Sequence, residues 1–123
     1  MPKDKRMSSS SNVAAAEQWL KIRLEPSGVA TKYIAGFRGR SGRELALDRV
    51  RQSIYVWISR GPPPFNGVTV TNRTVPGQPY APDQSRHSNL RSQAPSLAEG
   101  FTAYYLRIED LPTLKAVVDW YEG

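Results

Sequence analysis

The sequence predicts a small α+β domain: an antiparallel sheet of four to five strands with a C-terminal helix packed on one face. Three observations carry that reading. Period-2 alternation recurs in short runs bounded by Gly and Pro, the mark of half-buried strands joined by turns. The last apolar stripe, formed by Leu111, Leu114, Val117, Val118 and Tyr121, has helical spacing instead. The 123 residues suffice for one ordinary domain with its own core.

The elements follow in order. The basic, serine-rich start reads as a flexible N-terminal segment, residues 1–14, leaving 15–123 as a single domain. Residues 17–24 (EQWLKIRL) alternate, with Leu20, Ile22 and Leu24 on one side and Trp19, Lys21 and Arg23 on the other. They predict a first strand. Glu25-Pro26-Ser27-Gly28 is a turn signal, and the β-branched and aromatic run 29–37 predicts a second strand. In 41–52, Ser41 and Glu44 stand at capping-box spacing, and Leu47, Val50 and Ile54 lie three and four apart. A short helix is expected there, although Leu45 and Leu47 alternate.

Residues 53–60 (SIYVWISR) give the clearest strand, which ends at Gly61-Pro62-Pro63-Pro64 because proline cannot donate to a ladder. A short edge strand is expected over 67–72. Residues 73–100 carry four prolines and no periodicity, so a long irregular loop follows. Residues 101–108 (FTAYYLRI) predict the last strand. Asp110 then caps the final helix, with Pro112 tolerated in its first turn.

Composition narrows the chemistry. Without cysteine there is no disulfide, no thiolate zinc site and no Cys nucleophile. His87 is the only histidine, and the carboxylates are scattered, so no metal and no cofactor are expected. No apolar run matches a signal peptide or a membrane span, and a cytoplasmic protein is expected.

The charge is uneven. Seventeen Lys and Arg oppose 11 Asp and Glu, for a net charge of +6. Between residues 49 and 98, Arg49, Arg51, Arg60, Arg73, Arg86 and Arg91 face a single acid, Asp83. From residue 99 onward acids outnumber bases. Most basic residues are arginine, which binds phosphate bidentately and stacks on bases. A basic half of this kind points to a polyanionic partner.

Three candidate sites emerge. The first is the sheet face opposite the helix, where alternation collects Tyr55, Trp57, Tyr105 and Arg107, with Trp19, Lys21 and Arg23 from the expected first strand. Rings that stack on bases beside cations that hold phosphates suit single-stranded nucleic acid. The second lies in the long loop, where Arg86 and Arg91 would hold phosphates and His87 and Asn89 would read bases. Arg49, Arg51 and Arg60 are further phosphate contacts. The third, Gly36 to Arg43, has an RGG-like composition.

The leading expectation is a small, basic, non-catalytic module that binds DNA or RNA. A second reading is an interaction domain that homodimerises through the Tyr55/Trp57 face. A third is a metal-independent ribonuclease using His87.

Overall fold

The computed structural model describes residues 2–74, 93–97 and 102–123, of which 2–11, 72 and 74 are described by backbone alone. A long helix, α1 (Pro2–Arg23), leads into β1 (Glu25–Pro26), β2 (Ile34–Arg38), β3 (Glu44–Asp48) and β4 (Ile54–Ile58). Then come β5 (Val68–Thr74), a 3-10 turn (Pro95–Leu97), β6 (Ala103–Ile108) and a final helix, α2 (Leu111–Glu122). The strands form one antiparallel sheet in the order β1-β2-β3-β4-β6-β5. The sheet thus has six strands rather than the expected four to five. Among the described residues no helix is long and apolar enough to cross a membrane.

Two expectations are corrected. Residues 17–24 are not a strand; 17–23 are the end of α1. Val13, Ala16, Leu20 and Leu24 are buried, three and four apart, while Ile22 is 85% exposed. The alternation that suggested a strand put Ile22 inside; helical spacing puts it outside. Residues 41–52 do not form a helix either, because 44–48 are strand β3. Leu45 and Leu47 face the helices, and Glu44, Ala46 and Asp48 face the other way, all five buried. Two carboxylates among them hid the strand pattern. Ser41 does not cap a helix; its hydroxyl donates to Glu122 Oε2 at 2.7 Å.

One sheet face carries the main core. Phe37, Leu45, Leu47, Ile54, Val56, Ile58, Leu106 and Ile108 pack against α1 and α2. Each such side chain contributes roughly 1.5–3 kcal/mol by leaving water. The helix α2 starts as its sequence dictates: the Asp110 carboxylate accepts from the Thr113 N–H at 2.9 Å, and proline occupies the first turn. Its Leu114, Val117, Val118 and Tyr121 are buried.

Tyr121 does more than pack. The β3–β4 ladder pairs Ala46 with Trp57 and Leu47 with Val56. Extended by two residues, that register would set Glu44 opposite Ser59. There the Tyr121 hydroxyl takes the place of the missing rung. It donates to the Glu44 carbonyl at 2.7 Å and accepts from the Ser59 N–H at 3.0 Å. A side chain of the helix completes the sheet.

The opposite face is covered over part of its area by residues 93–97. Ala94 and Leu97 pack on Ile34, Ala46, Trp57 and Ala103 in a second apolar cluster. Polar groups fix this strap. The Gly36 N–H donates to Gln93 Oε1 at 3.1 Å, Gln93 Nε2 donates to the Val29 carbonyl at 2.6 Å, and Ser27 Oγ donates to the Gln93 carbonyl. Ser96 N–H and Oγ both donate to Glu44 Oε1, while Arg38 Nη2 donates to Glu44 Oε2 at 3.1 Å. Gly36 is needed for so close an approach: a Cβ there would lie 2.0 Å from the Gln93 carbonyl oxygen.

Candidate functional site

Among the described residues, the part of the second face that the strap leaves uncovered lies at the other end of β4, β6 and β5. Alternation along these strands sends Ser53, Tyr55 and Trp57 to that face, with Tyr105, Arg107 and Glu109 from β6 and its continuation. Register sets Tyr55 opposite Arg107, Trp57 opposite Tyr105, and Thr69 opposite Arg107. The Tyr55 and Tyr105 rings stack with centroids 5.1 Å apart and planes inclined by 26°. Trp57 lies behind Tyr105, with centroids 4.5 Å apart. Tyr55 and Tyr105 are half-buried, whereas Trp57 is 8% exposed beneath the strap.

A charged network holds the stack. Buried Asp48, at the end of β3, accepts from the Tyr105 hydroxyl at 2.7 Å. Arg51 Nε donates to the same hydroxyl at 3.2 Å and stands 3.5 Å from Asp48 Oδ2. The Arg51 guanidinium lies over the Tyr55 ring, 5.2 Å from its centroid, within cation–π range. Burial, and then the hydrogen bond to Asp48, push the Tyr105 phenol well above its usual range, against the opposing pull of Arg51. Tyr105 is therefore a neutral donor, locked in place. That is a positioning arrangement, with the proton on the wrong partner for a general base.

The raised Tyr105 pKa has a sign that can be tested. The folded state holds the phenol proton more tightly than the unfolded chain does, so the contribution is complete below the ordinary tyrosine pKa of about 10. It is lost as pH rises from there toward the folded value. Tyr121 adds to the same trend, since burial raises its pKa too. Thermal melts should therefore show Tm falling above about pH 10, and Tyr105→Phe should flatten that fall. Equal slopes for the two proteins would refute the assignment.

The structure gathers some expected residues and separates others. Arg51, Tyr55, Tyr105 and Arg107 come together, with Trp57 as their underlay. Arg49 lies near the same end, but its Nε donates to Glu17 Oε1 at 2.8 Å and its Nη1 to the Thr31 carbonyl. Arg60 sits at the far end of β4, its guanidinium 4.9 Å from the Trp120 ring of α2. Trp19, Lys21 and Arg23 do not join this face, because they belong to α1. Trp19 packs against the main core, Lys21 pairs with Glu17, and Arg23 pairs with Asp119. Arg86, His87, Asn89 and Arg91 lie outside the described residues. The RGG-like run covers the end of β2 and the β2–β3 turn, with Gly42 at a φ of +84°.

Sequence reasoning missed Asp48, Ser53, Thr69 and Glu109. Placing 44–48 as a strand would have found Asp48, and carrying the odd-numbered alternation past Arg107 would have found Glu109. Comparison of the chain with protein-family models, curated proteins and solved structures returned no match.

Proposed function

We propose that this chain is a non-catalytic nucleic-acid-binding module that takes a single strand across the open end of its second sheet face. What supports the reading is one juxtaposition: the Tyr55–Tyr105 stack, with Arg51 over one ring and exposed Arg107 directly beside it. A base stacks on the accessible Tyr55 surface while the guanidinium groups of Arg51 and Arg107 engage the strand beside it. The Asp48 and Trp57 contacts keep the platform rigid, so little ordering is left for binding to impose. The net charge of +6 raises the encounter rate with any polyanion.

The test is an anisotropy titration of labelled single- and double-stranded DNA and RNA at low and near-physiological salt. Salt-sensitive single-strand binding that survives the higher salt is expected. Tyr55→Ala should weaken it by roughly 1–3 kcal/mol, about 5- to 150-fold, because one stacking surface is lost. Arg107→Ala should weaken it by a similar amount, because a guanidinium beside the stack is lost. Binding that vanishes at modest salt, or is indifferent to Tyr55→Ala, would remove the proposal. Arg86→Ala with Arg91→Ala should weaken the salt-sensitive binding in the same assay.

A further inference from the structure

Beside the Tyr55 ring the same face sinks into a recess of about 250 Å³, lined by Ser53, Gly67, Thr69, Arg107 and Glu109 together with Ile108. It is smaller than an ordinary small-molecule pocket of roughly 300–1,000 Å³, so it suits the edge of one ring system better than a whole nucleotide. Its charge is mixed. Arg107 and Glu109 stand two residues apart on one side of β6 and its continuation, roughly 7 Å along the strand. Among the described residues they form no ion pair with each other or with a third group. A carboxylate in the recess disfavours phosphate there.

The recess is shaped around that carboxylate. Gly67 lies next to Glu109, whose N–H donates to the Gly67 carbonyl at 2.8 Å. A Cβ on Gly67 would come within 2.8 Å of Glu109 Oε2, and the backbone there has φ of +86°. Both the space and the conformation select glycine. The Glu109 carboxylate thus occupies room that any other residue at 67 would fill.

A guanidinium beside a carboxylate has a definite complement among the bases. Guanine presents two adjacent acceptors, O6 and N7, next to two adjacent donors, N1–H and N2–H. Arg reads the first pair bidentately, and a carboxylate accepts the second. Adenine, cytosine and uracil or thymine each lack the paired donors on that edge. We infer that this recess reads guanine: the base stacks at Tyr55, its O6/N7 side meets Arg107, and its N1/N2 side meets Glu109. Ser53 and Thr69 hydroxyls border the edge of the ring. The inference rests on the single-strand reading above and names the base that site prefers.

The experiment compares a labelled oligothymidylate carrying one central guanosine with the same oligomer carrying inosine, which lacks the N2 amino group. Unsubstituted oligothymidylate and free guanosine monophosphate complete the set. Wild type, Glu109→Gln and Glu109→Ala are titrated with each, and melting curves confirm that the variants fold. Wild type should bind the guanosine oligomer at least about fivefold more tightly than the inosine one, and both variants should bring that ratio close to one. Equal affinity of wild type for guanosine, inosine and thymidine oligomers overturns the base preference while leaving single-strand binding standing. A ratio that survives Glu109→Ala overturns the role of Glu109. Binding of guanosine monophosphate without any oligomer keeps the guanine site and removes the nucleic-acid reading. Binding of neither removes both.

Discussion

Tyr121→Phe is expected to cost about 2–4 kcal/mol of stability, far more than the loss of one hydroxyl from a helix surface. The ring stays and the core volume is unchanged, so the effect isolates the hydrogen bonds. Without the hydroxyl, the Glu44 carbonyl and the Ser59 N–H face each other across a gap that neither can close. The buried Glu44 carbonyl left without a partner costs roughly 1–3 kcal/mol, and the half-buried Ser59 N–H adds a smaller loss. Glu44 is 3% exposed, so water does not readily replace the lost donor. Urea denaturation should show a lower midpoint with an unchanged slope, since the surface exposed on unfolding stays the same. A loss below about 0.5 kcal/mol would mean that β3 and β4 close their own ladder once the hydroxyl is gone.

Gly36→Ala should act on the other face with comparable size. Its Cβ would meet the Gln93 carbonyl oxygen at 2.0 Å and Ser27 Oγ at 2.5 Å. The first of these is backbone and cannot rotate away. Forcing a methyl into so tight a site typically costs about 1–3 kcal/mol. The cheaper escape is for the strap to lift, and then the Gln93 contacts to Gly36 and Val29 go with it. Lifting uncovers Trp57, so acrylamide should quench tryptophan fluorescence more strongly in the variant than in wild type. A variant with unchanged quenching and stability lost by less than about 1 kcal/mol would show that the strap tolerates the methyl.

These two positions also mark where the sequence stops being legible. The parts written locally were readable: the Asp110 cap and the 3.6-residue stripe of α2, the alternation of β4, and the Gly-Pro-Pro-Pro stop after it. α1 was readable in principle from Val13, Ala16, Leu20 and Leu24, but a coincident alternation through Ile22 competed with it. Alternation does not announce β3 because its second face carries Glu44 and Asp48, each buried with the help of one partner far along the chain. Ser96 joins nearby Arg38 on the first, and Tyr105 joins nearby Arg51 on the second. Burial of a charge depends on such distant partners, and no local pattern announces them. The same holds for Gln93 and Tyr121, side chains that stand in for backbone rungs 57 and 77 residues away.

The candidate site was half legible for a related reason. Alternation placed Tyr55, Trp57, Tyr105 and Arg107 on one face, and the structure keeps them together. What alternation could not supply was the neighbour across the ladder. Misassigning 17–24 as a strand added Trp19, Lys21 and Arg23 to a face they never reach. Missing β3 left out Asp48, the group that fixes Tyr105.

The strand order carries a consequence for how the chain is made. β6 lies between β4 and β5, yet both of its neighbours are synthesised before it. While residues 103–108 are still inside the ribosome, β4 presents an open edge, with Ile54, Val56 and Ile58 on one side of it. No arrangement of the earlier strands can seal that gap in the native order. Most of α2, whose Tyr121 bridges β3 and β4, emerges later still. Native closure therefore waits on the segment from residue 103 to residue 122, and the nascent chain must keep an apolar strand edge unpaired until then.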